Sequence, residues 1–331
     1  MLIPPAIAAL PRFPLLDGPS PLMPLRRLSA GLGDDAEIWI KREDLLPLAF
    51  GGNKLRNLEF LVGAAIAEGA DTLVTAGRRW SNHCRLTAAA AARAGLEVDL
   101  VLTGPPAPAG SEGPNQWLDL LLGARVHWTT TEDRAERAAL VEQVCADLRG
   151  NGRRPYVIGV GGTGPLGAAG QVLAGLEAAD QLAARGVGPV SIVLPSATGG
   201  TQAGILTGLA LAATASGPAH RVIGIAVAAP SAELRLTVVA LLAAVAPIAG
   251  IEVAPGAVEL ADDQLGGGYG RPTDAAIEAT RLLARKEGLL VDPIYTAKAL
   301  AGLIARVRDG RLTGPVVFWH AGGLPGLFEV L

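Results

Sequence analysis

Short runs of β-branched and aliphatic residues alternate with helix-length stretches rich in Ala and Leu along most of this 331-residue chain. Such alternation predicts strands joined by crossover helices, and therefore parallel sheets covered by helices on both faces. The predicted strands include residues 73–74, 98–102, 126–128, 156–160, 190–194, 222–227 and 316–319. The fold class is therefore α/β, and the length allows two lobes with a large buried core.

Charge and cysteine content exclude several classes of protein. The net charge of −3 gives no basic surface of the kind that nucleic-acid binding needs. Cys84 and Cys145 cannot form a disulfide framework and do not show metal-ligand spacing. Because the first residues lack the basic start of a signal peptide, we expect a reduced, cytoplasmic setting. We expect no metal site.

One long apolar stretch, residues 236–251, raises the question of a membrane span. It is short for a span, and Pro247 and Gly250 interrupt it near one end. We therefore predict a core helix that is buried on all sides, and no membrane association.

Lys54 stands between Gly51-Gly52-Asn53 and a helical pattern over residues 55–68. Leu58, Leu61, Val62, Ala65 and Ile66 form the apolar stripe of a core-facing helix. The glycines allow backbone to approach a ligand closely, although an isolated lysine here could equally be a surface residue. A lysine so placed can form a Schiff base with an aldehyde, and pyridoxal phosphate is the natural candidate. The sequence thus indicates an enzyme acting on a small amino acid.

A second segment, residues 75–85, joins a predicted strand to a predicted helix over residues 82–94. Ser81 is placed to cap that helix, or to lie beside a ligand carboxylate where backbone N–H groups favour negative charge. Asn82 can donate to a ring oxygen of a ligand. His83 is as often a structural hydrogen-bonding residue as a catalytic one.

A third segment, residues 196–204, follows the predicted strand at 190–194. Small residues and hydroxyls at a strand-to-helix turn are typical of a phosphate site, or of close packing between helix and strand. The segment is not a P-loop, because it lacks the Gly-Lys-Ser/Thr ending.

Two of the three tyrosines, Tyr269 and Tyr295, occur in turn-like settings. A phenol can transfer a proton where its environment lowers its pKa. The alternative is ordinary core packing with the hydroxyl at the surface.

A competing motif, Gly162-Thr163-Gly164-Pro165-Leu166-Gly167, matches the G-x-G-x-x-G pattern of dinucleotide binding. The motif lies in mid-chain, Pro165 follows its second glycine, and no acidic residue ends a following strand at the expected distance. We therefore do not favour a nicotinamide enzyme.

The motifs together resemble the pyridoxal-phosphate family of D-cysteine desulfhydrase and 1-aminocyclopropane-1-carboxylate deaminase. The resemblance runs over nearly the whole chain and includes ordered matches in every segment. These are Pro21-Leu22, Ile40-Lys41-Arg42-Glu43-Asp44-Leu45, Gly51-Gly52-Asn53-Lys54, Ser81-Asn82-His83, Gly161 to Gly167, Thr201-Gln202-Ala203-Gly204, Asp292-Pro293-Ile294-Tyr295-Thr296 and His320-Ala321-Gly322-Gly323-Leu324-Pro325-Gly326.

The resemblance implies fold type II, the tryptophan-synthase-β-like fold, with two lobes that each contain a mostly parallel sheet flanked by helices. The larger, cofactor-binding lobe would contain residues 1–53 and 166–331, and the smaller lobe residues 54–165. The resemblance also implies a homodimer or larger assembly.

The resemblance assigns roles to the candidate residues. Lys54 would form the Schiff base with pyridoxal phosphate, Asn82 would contact its phenolic oxygen, and Thr296 would lie near its pyridine nitrogen. Ser81 would hold the substrate carboxylate or assist proton transfer, with Tyr269 and Tyr295 near the reacting carbons. The phosphate would bind to Thr198, Gly199, Gly200, Thr201 and Gln202. Substrate contacts would come from Trp80, Ser81, Asn82 and His83.

Within that family, His83 and Thr296 favour the desulfhydrase branch, whose members are lyases that eliminate across the α and β carbons of D-cysteine. Arg79, Trp80 and Ala321 depart from the pattern of that branch. Arg78 or Arg79 could add a cation to the pocket, so L-cysteate sulfo-lyase is an alternative. Cyclopropane ring opening, β-replacement and a non-catalytic metabolite-binding protein on the same fold are further alternatives.

Overall fold

The described strands of the computed structural model, which describes residues 3–33, 35–107, 110–215 and 217–329, form two separate sheets. In chain order they are β1 (Leu22–Pro24), β2 (Glu37–Arg42), β3 (Thr72–Arg78), β4 (Glu97–Thr103), β5 (Arg125–Thr129), β6 (Pro155–Val157), β7 (Ser191–Ser196), β8 (Arg221–Ala226), β9 (Glu259–Ala261) and β10 (Pro315–His320). The larger sheet has the order β1-β2-β10-β7-β8-β9, and the smaller sheet has the order β5-β4-β3-β6. Every described pair is parallel except that of β1 with β2. The predicted α/β class is confirmed.

Helices connect the strands as the alternating pattern predicts. They are α1 (Pro5–Ala8), α2 (Arg26–Leu32), α3 (Lys54–Ala67), α4 (Asn82–Ala94), α5 (Pro114–Leu121), α6 (Arg134–Gly150), α7 (Pro165–Ala183), α8 (Gly200–Thr214), α9 (Ser231–Val245), α10 (Asp274–Glu287) and α11 (Thr296–Arg308). Each predicted strand overlaps an observed one. The helical pattern at residues 55–68 is α3, although its Ile66 is 42% exposed and does not join the core.

The strands of the smaller sheet all come from the middle of the chain, and those of the larger sheet come from both ends. This distribution is the one expected for a small lobe inserted into a large one. The lobe boundaries at residues 53/54 and 165/166 stay a prediction.

The larger sheet is buried on both faces, which explains the continuous apolar run in β7. Ile192 and Leu194 contact a core formed with α7, α8 and α9, whereas Val193 contacts a second core formed with α2, α10 and α11. Successive strand residues point to opposite faces, so a sheet covered on both sides needs apolar residues at every position.

The apolar stretch that we predict to be buried on all sides is α9 and the turn after it, and this prediction is wrong. Only one face of α9 is buried, through Leu234, Val238, Leu242 and Val245. Leu236 on the opposite face is 74% exposed, because α9 lies in the outer layer of the molecule. By length and mean hydropathy the stretch Ser231–Ala249 could cross a membrane, but a single helix of this kind is weak evidence for that.

Candidate active site

A cavity of about 910 Å³ lies where strands of both sheets end. It is lined by residues at or just after the carboxyl ends of β3, β6, β7, β8 and β10. Ligands of parallel α/β sheets bind in this position, because the strand-to-helix turns and helix N-termini converge there.

Lys54 is the first residue of α3 and its side chain lines the cavity. Removal of its amine from water lowers the pKa of Lys54 from 10.5 to about 8. Lys54 is therefore not an ordinary surface lysine. A partly neutral amine at the cavity wall is a suitable nucleophile for an aldehyde.

The start of α3 is held in place by buried charges. Arg56 donates through Nε to Glu43 at 2.6 Å and through Nη2 to Glu177 at 2.9 Å. Lys41 also pairs with Glu177, so two cations and two anions balance in one buried network. Because this network joins β2, α3 and α7, it fixes the helix end that carries Lys54.

Ser81 caps α4 and also lines the cavity, where a ligand carboxylate could reach it. Its hydroxyl oxygen accepts a hydrogen bond from Cys84 N at 3.2 Å. Asn82, the first residue of the helix, lines the cavity beside it. The capping prediction is confirmed, while the ligand roles of Ser81 and Asn82 stay predictions.

His83 is buried in the cavity wall as a neutral imidazole. Thr75 Oγ1 donates to Ile158 O at 2.7 Å and lies 3.0 Å from His83 Nε2. Since the threonine hydrogen is used, Nε2 must carry the ring proton and Nδ1 must be the acceptor. Burial, and then the charge of Lys54, lower the pKa of His83 to about 3. Within the described part of the chain, Nδ1 has no hydrogen-bond partner.

The turn between β7 and α8 presents several donors to the cavity. Thr163 Oγ1 donates to Thr198 Oγ1 at 2.6 Å, and Asn53 Nδ2 donates to Thr201 Oγ1 at 2.9 Å. The hydroxyl hydrogens of Thr198 and Thr201 are not used in these bonds and can donate to an anion. Gly199 is left-handed, with φ of 82°, immediately before the helix N-terminus. Hydroxyls and backbone N–H groups at a helix N-terminus favour a phosphate.

Tyr269 and Tyr295 meet at the cavity wall, although 26 positions separate them in the sequence. Their phenol oxygens are hydrogen-bonded to each other, and their ring centroids are 5.9 Å apart. The Arg78 guanidinium lies 5.7 Å from the ring centroids of both Trp80 and Tyr269. Burial raises the pKa of Tyr269 and of Tyr295, so both phenols are neutral at pH 7.

Four of the candidate residues do not line the cavity, namely Trp80, Gly200, Gln202 and Thr296. Trp80 packs behind Tyr269, with ring centroids 6.3 Å apart. Gln202 is buried and its Nε2 donates to Glu259 O at 2.7 Å. Thr296 is buried and its hydroxyl donates to Asp292 Oδ1 at 2.5 Å. The roles that the resemblance gives these residues stay predictions.

Sequence reasoning missed three residues in or next to this wall. Thr163 lies in the glycine-rich run 161–167, where a hydroxyl among glycines before a helix was a usable signal. Ser196 ends β7, has a buried hydroxyl, and lines the cavity. Asp292 accepts hydrogen bonds from the backbone of Ile294 and Tyr295, and its place shortly before α11 was the signal for such capping.

Residues 14–322 match the family model described as pyridoxal-phosphate dependent enzyme. The chain belongs to this family. It is 42% identical over 324 residues to the D-cysteine desulfhydrases of Salmonella choleraesuis (strain SC-B67) and Salmonella newport (strain SL254), covering 96% of this chain and 95% of each relative. A solved structure of an ACC deaminase homologue superposes with a TM-score of 0.87 at 35% identity, covering 98% of this chain and 95% of that one.

The fold is that of pyridoxal-phosphate fold type II. A solved T.th. threonine deaminase structure superposes with a TM-score of 0.66 at 23% identity, with 92% of each chain covered, and shares this fold. The cofactor is pyridoxal phosphate, and the dinucleotide interpretation of the glycine run at 162–167 is thereby set aside.

The residues of the cavity fit this cofactor. The amine of Lys54 can bind its aldehyde, and the cradle before α8 can hold its phosphate. The unpaired acceptor of His83 and the hydroxyl of Ser196 are buried polar groups that suit a ligand with both donors and acceptors. Among residues 3–33, 35–107, 110–215 and 217–329, no group of three His, Cys, Asp or Glu side chains is arranged to hold a metal ion.

Proposed function

We propose that this pyridoxal-phosphate enzyme is a lyase that converts D-cysteine and one water to pyruvate, hydrogen sulfide and ammonia. The observation that carries the proposal is the Lys54 amine in the cavity wall of a chain 42% identical to D-cysteine desulfhydrase over 96% of its length. All segments that line the cavity lie within residues 14–322, the region that the family model matches, so the match includes the complete site.

Lys54 is the residue that would bind the cofactor and then act as the base at the α-carbon. The bound cofactor withdraws electrons from that carbon and so lowers the barrier to proton loss. With its pKa near 8, the released amine is neutral in a useful fraction of molecules at physiological pH. Ser81 and the N-terminus of α4 would orient the substrate carboxylate.

The tyrosine pair would act as the proton donor to the departing sulfur. Both phenols keep their protons at pH 7, because burial raises the pKa of Tyr269 and Tyr295. The raised pKa of both phenols supports Lys54 as the general base and the tyrosine pair as the general acid, since a neutral phenol can give a proton but cannot accept one at the α-carbon.

A sulfonate-bearing amino acid such as L-cysteate is the second candidate substrate. It is supported by Arg78, which lines the cavity next to Tyr269, whereas Arg79 does not line it. The Arg78 guanidinium is paired with Glu132, so a sulfonate would have to compete with that carboxylate. This competition is why D-cysteine is the first candidate.

We also propose that the protein is a cytoplasmic homodimer that binds neither nucleic acid nor membrane. The family resemblance supports the homodimer, and the two buried, unpaired cysteines suit a reducing compartment. Sedimentation of the purified protein tests the dimer.

A substitution and a substrate screen test the function. Lys54→Ala should remove the visible absorbance of the bound cofactor and abolish turnover, whereas Lys286→Ala on the distant α10 should change neither. The screen measures ammonia, sulfide and keto-acid release from D-cysteine, L-cysteine, L-cysteate, D-serine and 1-aminocyclopropane-1-carboxylate. Release of 2-oxobutyrate from the last compound, or no ammonia from any, would contradict the proposal.

A further inference from the structure

Arg85 is a fully buried cation in the wall behind the cavity, on the first turn of α4. In the described ranges of the chain it forms no ion pair, and three neutral oxygens accept its hydrogen bonds. Nη1 donates to Asn82 Oδ1 at 2.7 Å and to Asn115 Oδ1 at 2.5 Å, and Nη2 donates to Gly51 O at 3.1 Å. Burial of a guanidinium is costly, so this arrangement calls for a reason beyond packing.

The bond from Arg85 decides which end of the Asn82 amide faces the ligand. A guanidinium has only donors, so the amide atom that it contacts must be the carbonyl oxygen. The NH₂ group of Asn82 is therefore the end that remains for a ligand in the cavity, which Asn82 lines. Residue 323 is a glycine, which leaves space next to this NH₂ group. A Cβ at position 323 would lie only 3.0 Å from Asn82 Nδ2.

Arg85 is itself held from several directions. Asn115 accepts from Arg85 and donates through Nδ2 to Trp80 O at 3.1 Å, which joins α5 to the turn before α4. Gly51, the third acceptor, lies three residues before Lys54. One guanidinium therefore joins the segment that carries Lys54 to the helix that carries Asn82. Burial lowers the pKa of Arg85 to about 10, and the carboxyls of Asp119 and Asp292 act against this shift, so Arg85 stays charged at pH 7.

We propose that Arg85 is a positioning residue for the cofactor, which fixes Asn82 as a hydrogen-bond donor to an anionic ring oxygen of pyridoxal phosphate. The positive charge also polarises the Asn82 amide, which strengthens its N–H donors. The inference rests on the proposed function and on the cofactor contact that the family resemblance gives to Asn82. It requires that Arg85 acts through Asn82 and not through general support of the fold.

A double-mutant cycle in cofactor binding tests this requirement. The apo-protein is titrated with pyridoxal phosphate, and the dissociation constant and the absorbance spectrum of the bound form are recorded for four proteins. These are the wild type, Arg85→Met, Asn82→Ala and the double variant. Arg85→Met should weaken cofactor binding about tenfold and shift the absorbance titration with pH, in the same direction as Asn82→Ala. In the Asn82→Ala background, Arg85→Met should have little further effect.

Two outcomes would overturn the proposal. One is an unchanged dissociation constant and spectrum in Arg85→Met, and the other is effects that multiply in the double variant. Arg306→Met is the matched control, since Arg306 is a buried arginine on α11 that pairs with Asp263. If Arg85→Met does not yield folded protein by circular dichroism, Arg85→Gln takes its place in the same cycle with the same two opposing outcomes. No amino-acid substrate is present, so a failure of the proposed elimination reaction leaves this result interpretable.

Discussion

The phenol oxygens of Tyr269 and Tyr295 are hydrogen-bonded to each other in the same cavity wall that contains Lys54. Burial raises the pKa of each phenol and lowers that of the Lys54 amine to about 8. Burial disfavours the charged form of any group. It therefore raises the pKa of a phenol, which is neutral when protonated, and lowers the pKa of an amine, which is charged when protonated. The cavity wall therefore contains two neutral phenols and a partly neutral amine, which suits the proton donor and acceptor roles that we propose for the elimination.

Removal of one phenol hydroxyl should slow the departure of the leaving group without weakening cofactor binding. Tyr295→Phe should lower kcat for D-cysteine about 100-fold, within the usual contribution of a general acid, while cofactor absorbance is kept. With β-chloro-D-alanine the loss should be much smaller, because chloride leaves without a proton. Tyr156→Phe on β6 is the matched control and should retain full activity. An equal loss with both substrates would show that Tyr295 does not protonate the leaving group.

The lowered pKa of Lys54 predicts how fast the apo-protein takes up its cofactor at different pH values. The neutral amine is the nucleophile, and about a tenth of the lysines are neutral at pH 7 when the pKa is about 8. The rate of imine formation, followed by stopped-flow absorbance, should rise about tenfold per pH unit below pH 8 and level off above it. An ordinary lysine would give a rate that still rises above pH 10, and such a profile would show that the amine is open to water.

The parts of the site that are determined by residues adjacent in the sequence could be predicted from the sequence. Lys54 at a glycine-led helix start and Ser81 as a helix cap each need a few adjacent positions, and the structure places both as expected. The contact between Tyr269 and Tyr295 depends on how a loop before α10 meets the start of α11. No local pattern encodes that contact, and the raised pKa of both phenols follows from burial that only the folded chain creates.

The error in α9 has a related cause. Its buried positions, Leu234, Val238, Leu242 and Val245, have ordinary one-face spacing. Glu233 and Arg235 on the exposed side precede the stretch at 236–251, in which the exposed positions of α9 are Leu236, Thr237 and three alanines, so the composition of that stretch suggests burial on all sides. The packing of α9 against other helices and strands decides which of its faces is buried, and the helix sequence alone does not show that packing.

The Asp292 carboxylate should stabilise the folded chain at the start of α11, next to the tyrosine pair. Oδ2 accepts from Ile294 N and Tyr295 N, at 3.0 and 2.8 Å, and Oδ1 accepts from Thr296 N at 3.0 Å. Asp292→Asn puts an NH₂ group opposite these donors, so at least one buried N–H is left unpaired. The free energy of unfolding should fall by about 1–3 kcal/mol, measured by chemical denaturation. Asp17→Asn at an exposed position should leave the denaturation midpoint unchanged, and an equal response of both variants would contradict the capping role.

His83 should remain neutral, with its proton on Nε2, throughout the pH range in which the enzyme works. Its pKa is lowered to about 3, so the folded state stays unprotonated while the unfolded state takes up a proton as the pH falls through 6.5. Stability should therefore decrease from pH 6.5 down to pH 3 through this residue, and be fully retained above that window. Long-range ¹H–¹⁵N spectra should show a protonated Nε2 and a bare Nδ1 that do not change between pH 8 and pH 5. Thr75→Val removes the oxygen that selects this tautomer and should shift the proton toward Nδ1, whereas an unchanged spectrum in Thr75→Val would show that Thr75 does not set it.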